Sequence, residues 1–399
     1  FTGGVNPRAF AAPEVDDVEV QVTATCDSNG STSDDISRIL TVVPLAADAI
    51  AGAPVQTPGT PVEVGDFVEA SAGATCAFSG SPPAGRSDDF VATCTRDGVS
   101  VDVDVTVVYG VVVTGATLAL DASNNLKARV AQQAAESCEV SCSGVGPAST
   151  PVGANGTVDV AFPANASLPA GAHTCTVSCD GPAGSTTAPG GPFSIHVGNV
   201  ANSADLVALG TADCVVGQVS VTLEDLDDPG ATDVTGASAL AVVTGALILT
   251  DTGGGAVKYS FPLLREIGDA LRLDNNIGLL GMNEDAANER PTSFPVLTKV
   301  GGELSITGNG ALTTITFPAL QDIGASLSIT GNGALTTITF PSSYSLGQGA
   351  GRDFTIASNG PDLECSEIDT VLDAVAVCPS SGEIDAADET GTSCGITCN

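Results

Sequence analysis

The 399-residue chain contains no Trp, three Tyr, two His and one Met. Each scarcity removes a class of function. Sugar-cleaving clefts usually present aromatic rings, so the abundant carboxylates here lack the platform against which a two-carboxylate glycosidase works. General bases are few: His173 falls in a turn before Cys175, and His196 sits in the alternating run FSIHV as a half-buried structural residue. GxSxG, HExxH, Walker and GxGxxG motifs are absent. No enzyme and no organic cofactor are expected. Cations are equally scarce, with three Lys (Lys127, Lys258, Lys299) and nine Arg against 47 Asp and Glu, for a net charge of −35. Nucleic acid and anionic lipid are bound by Lys and Arg on phosphates, so neither is an expected partner. No apolar run reaches 18 residues, which excludes a membrane-spanning helix on sequence grounds.

What is present is β-forming sequence with turns. Hydrophobic residues make up 43%, with 47 Gly and 23 Pro. The length suits several domains. Twelve cysteines without a CxxC pair fit the oxidising conditions met by secreted proteins. The chain begins at Phe1 without a hydrophobic leader, as expected of a secreted product after signal removal, at a cell surface or outside the cell.

The strongest pattern is a repeat. LSITGNGALTTITFP occurs at 304–318 and again, unchanged, at 327–341. Around it FPxLxx[IV]G recurs from Phe261, Phe294 and Phe317, and each closing Gly precedes a strand start at Leu271, Leu304 or Leu327. Five residues into each comes Asn276, Asn309 or Asn332, and Asn359 follows the weaker Phe354/Ile356 turn. Val219/Val221 and Leu247/Leu249 extend the array upstream. Strand starts from 247 are spaced by 24, 33, 23 and 27 residues, the long interval holding an insertion near Met282–Pro291. Such spacing, with no turn pair midway, predicts a solenoid whose coils lay parallel strands side by side. Leu304, Ile306, Leu312, Ile315, Phe317 and Leu320 should point inward onto the equivalent residues of the next coil. The four asparagines should form a ladder capping the strand exits. Pro after Phe should fix a corner, and the closing Gly should open the turn back into the strand.

The pattern LxIxxNxxL…FPxLxxIGxxL resembles the receptor L-domain family, a relative of the leucine-rich repeats, over roughly residues 205–399. The resemblance implies a right-handed parallel β-solenoid and a secreted or surface setting, and it leaves function open among ligand binder, adhesin and structural module. Downstream, DLECSEIDTVLDAVAVC suggests a capping helix with Ser366 at its N-cap and Ile368, Leu372 and Val375 as its apolar stripe. Cys365, Cys378, Cys394 and Cys398 are candidates to staple that cap, in any of three connectivities.

The N-terminal half reads as two β-sandwiches, loosely immunoglobulin-like. In the first, ATCDSNG, ATCAFSG and ATCTRDG place Cys26, Cys76 and Cys94 at strand ends. Three is odd, so either two of them pair while the third reaches Cys214, or one bonds another molecule. In the second, SCEVSC and HTCTVSC carry Cys138, Cys142, Cys175 and Cys179. An i,i+4 spacing in a strand puts both cysteines on one face, so two such strands make a double-bridged ladder. Four-cysteine zinc is the competing reading, disfavoured by the spacing. The segments are then 1–13, an extension offered as a strand to a neighbouring subunit; 14–109, the first sandwich; 110–200, the second; 201–364, the solenoid; and 365–399, the cysteine-rich cap.

For metals the sequence offers LEDLDDPGATD, where Glu224, Asp225, Asp227, Asp228 and Asp233 are candidate Ca²⁺ ligands against the plainer reading of a solvated acidic loop. Sequons begin at Asn29, Asn155 and Asn165. The expected role is a secreted, non-catalytic structural protein that self-associates into a homopolymer such as a surface layer or filament. The alternative is an adhesin or receptor-like module holding a protein or glycan on the solenoid sheet.

Overall fold

The two identical phrases lie one coil apart. In the computed structural model Leu304–Thr307 and Leu327–Thr330 pair in parallel, with Leu304 opposite Leu327, Ser305 opposite Ser328, Ile306 opposite Ile329 and Thr307 opposite Thr330. Thr314–Thr316 and Thr337–Thr339 pair in the same way further round the coil. The structure describes residues 18–26, 34–42, 45–81, 85–162, 168–189, 191–223, 233–234, 237–251, 258–259, 261–276, 278–279, 294–347, 353–360, 363–377 and 384–386.

The C-terminal part is a β-solenoid of about four turns. One of its sheets runs Val219–Leu223, Leu247–Asp251, Leu271–Asp274, Leu304–Thr307, Leu327–Thr330, Phe354–Ala357 and Ile384–Ala386, every pair parallel. Each strand alternates because only one face of the sheet meets the core. Leu271, Leu273, Leu304, Ile306, Leu327, Ile329, Phe354 and Ile356 are buried, and so are Leu312, Ile315, Phe317 and Leu320 on the remaining sides. Phe261, Phe294, Phe317 and Phe340 stack at centroid separations of 5.5, 5.9 and 5.6 Å, and Tyr344 ends the column.

The second solenoid sheet does not begin with the solenoid. It starts as antiparallel strands Val145–Pro151, Ser137–Cys142, Gly171–Gly181 and Phe193–Val197, then continues in parallel through Cys214–Val216, Val242–Val243, Glu266–Ile267, Lys299–Val300, Asp322–Ile323, Tyr344–Leu346 and Val375–Val377. The direction changes at Ile195 opposite Cys214. Val113–Asp180 and Ser185–Asn399 therefore form one compact unit. A three-stranded sheet of Val112–Leu120, Leu126–Gln133 and Gly156–Ala161 belongs to the same unit. Leu126, Ala128, Val130 and Val160 from this sheet, and Val140 and Val177 from the long one, are fully or almost fully buried.

Cys138 pairs with Cys179 and Cys142 with Cys175, each joining residues that lie opposite one another in neighbouring strands. All four thiols are consumed as bridges, which removes the zinc reading. Breaking either bridge with paired Ser substitutions is expected to lower stability by about 2–4 kcal/mol, because the unfolded chain regains loop freedom. Chemical denaturation of each variant checks this, and an unchanged midpoint would contradict it.

In the other unit, Phe1–Val112 with Gly181–Gly184, the described strands pair antiparallel, with one isolated parallel bridge between Gln56 and Tyr109. Val18–Cys26 pairs with Asp34–Val42, Ala47–Ala49 with Val68–Ala70, and Thr75–Phe78, Asp88–Arg96 and Val99–Val107 form a meander. Asp97 and Gly98 close its hairpin with φ of 52° and 83°, the paired positive values of a type I′ turn. Cys76 bonds Cys94 across neighbouring strands. Cys214 is a buried free thiol in the long sheet, so no bridge joins it to the first module. Burial pushes its thiol far up, with Asp213 adding to the shift, so it is poorly nucleophilic.

Both ends of the solenoid meet a helix. Ser203–Ala208 is capped by Asn202, whose side chain accepts from the Asp205 N–H at 2.8 Å, and Leu206 is fully buried in the solenoid core. Cys365–Asp373 starts earlier than the sequence suggests. Its N-cap is Glu364, in a reciprocal capping box with Glu367, and Ser366 lies inside the first turn. Ile368, Val371 and Leu372 are its buried stripe, and Tyr344 donates its hydroxyl to the Val371 carbonyl at 3.0 Å.

Candidate functional site

Most polar chemistry in the solenoid is spent internally. Asn276, Asn309 and Asn332 are fully buried, which is costly for an amide unless every group is bonded. The Asn309 side chain accepts from both the backbone N–H and Nδ2 of Asn276, at 2.9 and 3.0 Å. Its own Nδ2 donates to the Leu273 carbonyl at 2.8 Å and to Asn332 Oδ1 at 3.0 Å. Asn332 repeats the pattern with Ile306 and Asn359. This column binds the chain to itself and leaves nothing for a ligand.

One cleft of this unit lies where the three-stranded sheet meets the solenoid. Thr117, Leu118, Ala119, Arg129, Arg265, Glu266, Thr298, Lys299, Gln321 and Asp322 line a cleft of about 490 Å³. Its floor is a row of in-register residues from successive coils, Glu266, Lys299 and Asp322, which Ser345 continues beyond the cleft. Its wall is the end of Val112–Leu120. Glu266 accepts from the Leu120 N–H at 2.7 Å and Arg265 donates to the Leu118 carbonyl at 3.3 Å. Lys299 donates to Asn124 Oδ1 at 3.2 Å and to the Asp121 carbonyl at 3.4 Å.

The turn that receives Lys299 is built locally. Asp121 accepts from the N–H groups of Ser123 and Asn125 at 2.7 and 2.8 Å, and Asn124 takes a φ of 61°, a conformation Asn tolerates. Although burial works against ionisation, the bonds from Asn125 and Ser123 hold the Asp121 carboxyl below its usual range. Beside it, Asp159 accepts from Lys127 at 2.7 Å and from Arg129 at 3.1 Å. Those bonds outweigh desolvation and hold its carboxyl low as well.

Compared with protein-family models, with curated proteins and with solved structures, the chain gives no match. The reading therefore rests on the geometry. Glu224, Asp225, Asp227 and Asp228 lie outside the described residues, as does the side chain of Asp233, whose backbone is in Asp233–Val234. Cys26, Cys378, Cys394 and Cys398 are likewise not described at the side-chain level, while Cys365 is in a disulfide. The segment 1–13 and the insertion near 282–291 also lie outside. Among the described residues no group of three or more His, Cys, Asp or Glu converges on a metal position. His173, read from sequence as a turn residue, is instead in the strand Gly171–Gly181 and nearly buried, its ring nitrogens 3.0 and 2.7 Å from the carbonyls of Ser143 and Pro169. Sequence reasoning did not find Arg265, Glu266 and Lys299. The available signal was the substitution of charged residues within FPxLxx[IV]G, where a purely structural coil needs none.

Proposed function

We propose that this chain is a secreted, disulfide-stabilised structural subunit of an extracellular assembly, a surface layer or a filament, and that it is not an enzyme. The continuous sheet carries the reading: bridged antiparallel strands run without interruption into parallel coils, so a load on one end passes through main-chain bonds to the other. Three described disulfides fit an oxidising setting, and among the described residues no helix is long and apolar enough to cross a membrane. The outward positions of the doubled coils repeat as Ser305/Thr307 and Ser328/Thr330, which suits a scaffold better than a recognition face that must vary. Reading the solenoid as L-domain-like, the N-terminal strands as immunoglobulin-like and the last segment as a disulfide-stapled cap belongs to the same proposal.

Cysteine parity bears on self-association. Three bridges take six of the twelve cysteines and the buried thiol of Cys214 is a seventh, leaving five, of which Cys365 is itself in a disulfide. Five cannot all pair within one chain. Non-reducing electrophoresis of secreted material should show disulfide-linked multimers, and electron microscopy should show ordered polymers that deletion of residues 1–13 abolishes while the monomer stays folded. A chain that sediments as a single monomeric species at all concentrations, with two or more thiols per denatured molecule, would refute the assembly reading.

A further inference from the structure

We infer that the cleft between the three-stranded sheet and the solenoid binds a carboxylated saccharide, its acid group on Arg265 and Lys299. Seven basic residues have described side chains, and three of them, Arg129, Arg265 and Lys299, line this one cleft, with Lys127 beside it across Asp159. That is a marked concentration in a chain of net charge −35. The global field reaches the cleft only weakly, since charges farther than about 8 Å are screened at physiological salt. The local groups therefore decide what enters.

Among the described residues, Arg265 uses one bond, the 3.3 Å contact with Leu118, and a guanidinium has five N–H donors. Arg129 commits only Nε, to Asp159. Arg129 keeps its whole terminal fork, and Arg265, which bonds Leu118 through Nη2, keeps Nη1 and the second Nη2 hydrogen; a guanidinium fork matches a planar carboxylate with two parallel bonds. The two acids of the cleft are already engaged, Glu266 by the Leu120 N–H and Asp322 by the Ser345 hydroxyl at 2.6 Å. They retain lone pairs for sugar hydroxyls, as do Thr117, Thr298 and Gln321 around them. Cations set beside hydroxyl acceptors describe a uronic acid better than a bare anion. The inference is independent of the assembly reading, because a monomer carries the whole cleft.

Calorimetric titration of the full chain with trigalacturonate tests it, using Gln321, an exposed residue whose side chain makes no protein hydrogen bond among the described residues. Gln321→Glu places a negative charge in the cleft and should weaken binding about tenfold, and Gln321→Lys should tighten it by a similar factor. Arg272→Gln, which removes a cation paired with Glu303 on the other solenoid sheet, should leave affinity unchanged. Neutral trigalactose should not bind. Absence of trigalacturonate binding, equal binding of the neutral sugar, or an affinity that ignores both Gln321 substitutions would overturn the assignment.

Discussion

Asn309→Ala is expected to cost the protein about 3–5 kcal/mol, estimated from four buried polar groups that each lose a partner at about 1–3 kcal/mol where none remains. Those groups are the Asn276 N–H, the Asn276 side-chain amide, the Leu273 carbonyl and Asn332 Oδ1, of which the amide keeps the Leu249 carbonyl and Asn332 Oδ1 keeps the Asn309 N–H. The sum falls short of strict additivity because neighbours relax. The apolar surface around the column offers no replacement donor or acceptor. Denaturant unfolding measures the loss, with Thr337→Ala, an exposed position of the same solenoid, staying within about 1 kcal/mol of the parent. Equal costs at the two positions would show that the column is not what holds the coils.

Asn309→Asp separates shape from donor chemistry. The introduced carboxylate keeps the acceptor toward Asn276 but faces the Leu273 carbonyl without a proton to give. Burial and that carbonyl both favour the protonated form, so its folded-state pKa lies above the unfolded value of about 3.9. A raised folded value means the variant is most stable below the unfolded pKa and loses that stability as pH rises through the folded one. The parent, whose amide does not titrate, should lack this dependence.

The stacking of coils was legible because two identical fifteen-residue segments have identical packing needs, and parallel register meets both at once. Alternation in VSVDVDVTV likewise marks Val103, Val105 and Val107 as buried, with Asp102 and Asp104 exposed. The pairing of Ile195 with Cys214 was not legible. Nothing in FSIHV says that its free edge will accept a parallel strand, since edge pairing depends on what the rest of the fold brings near. The contacts of Arg265, Glu266 and Lys299 with residues 118–124 span more than 140 positions, and no local period encodes them. Ser366 was misjudged as N-cap because Glu364 competes successfully through its reciprocal bond with Glu367.

The closing glycine of each repeat carries the second large effect. Its recurrence suggests a turn needing positive φ, yet Gly268, Gly301 and Gly324 do not adopt one, whereas Gly308 and Gly331 do, at 70° and 69°. The reason at the closing position is closeness of approach. A Cβ on Gly324 would land against the carbonyl of Gly301 one coil earlier, as one on Gly301 would against Gly268. The Gly324 N–H holds that distance by donating to the Val300 carbonyl at 2.7 Å. The obstruction is backbone and cannot swing aside, so Gly324→Ala must push neighbouring coils apart and is expected to cost about 3 kcal/mol. Gly310 has the opposite environment, with nothing within 4 Å of an added Cβ and an ordinary φ. Gly310→Ala should therefore be neutral or stabilising by up to about 1 kcal/mol, through the reduced freedom of the unfolded chain. Calorimetric melting of the pair distinguishes the two explanations of the repeat. If both glycines tolerate alanine equally, the coils are not in contact along this column, and Asn124, which packs against Gly268 and Gly301, would lose the seat that joins the three-stranded sheet to the solenoid.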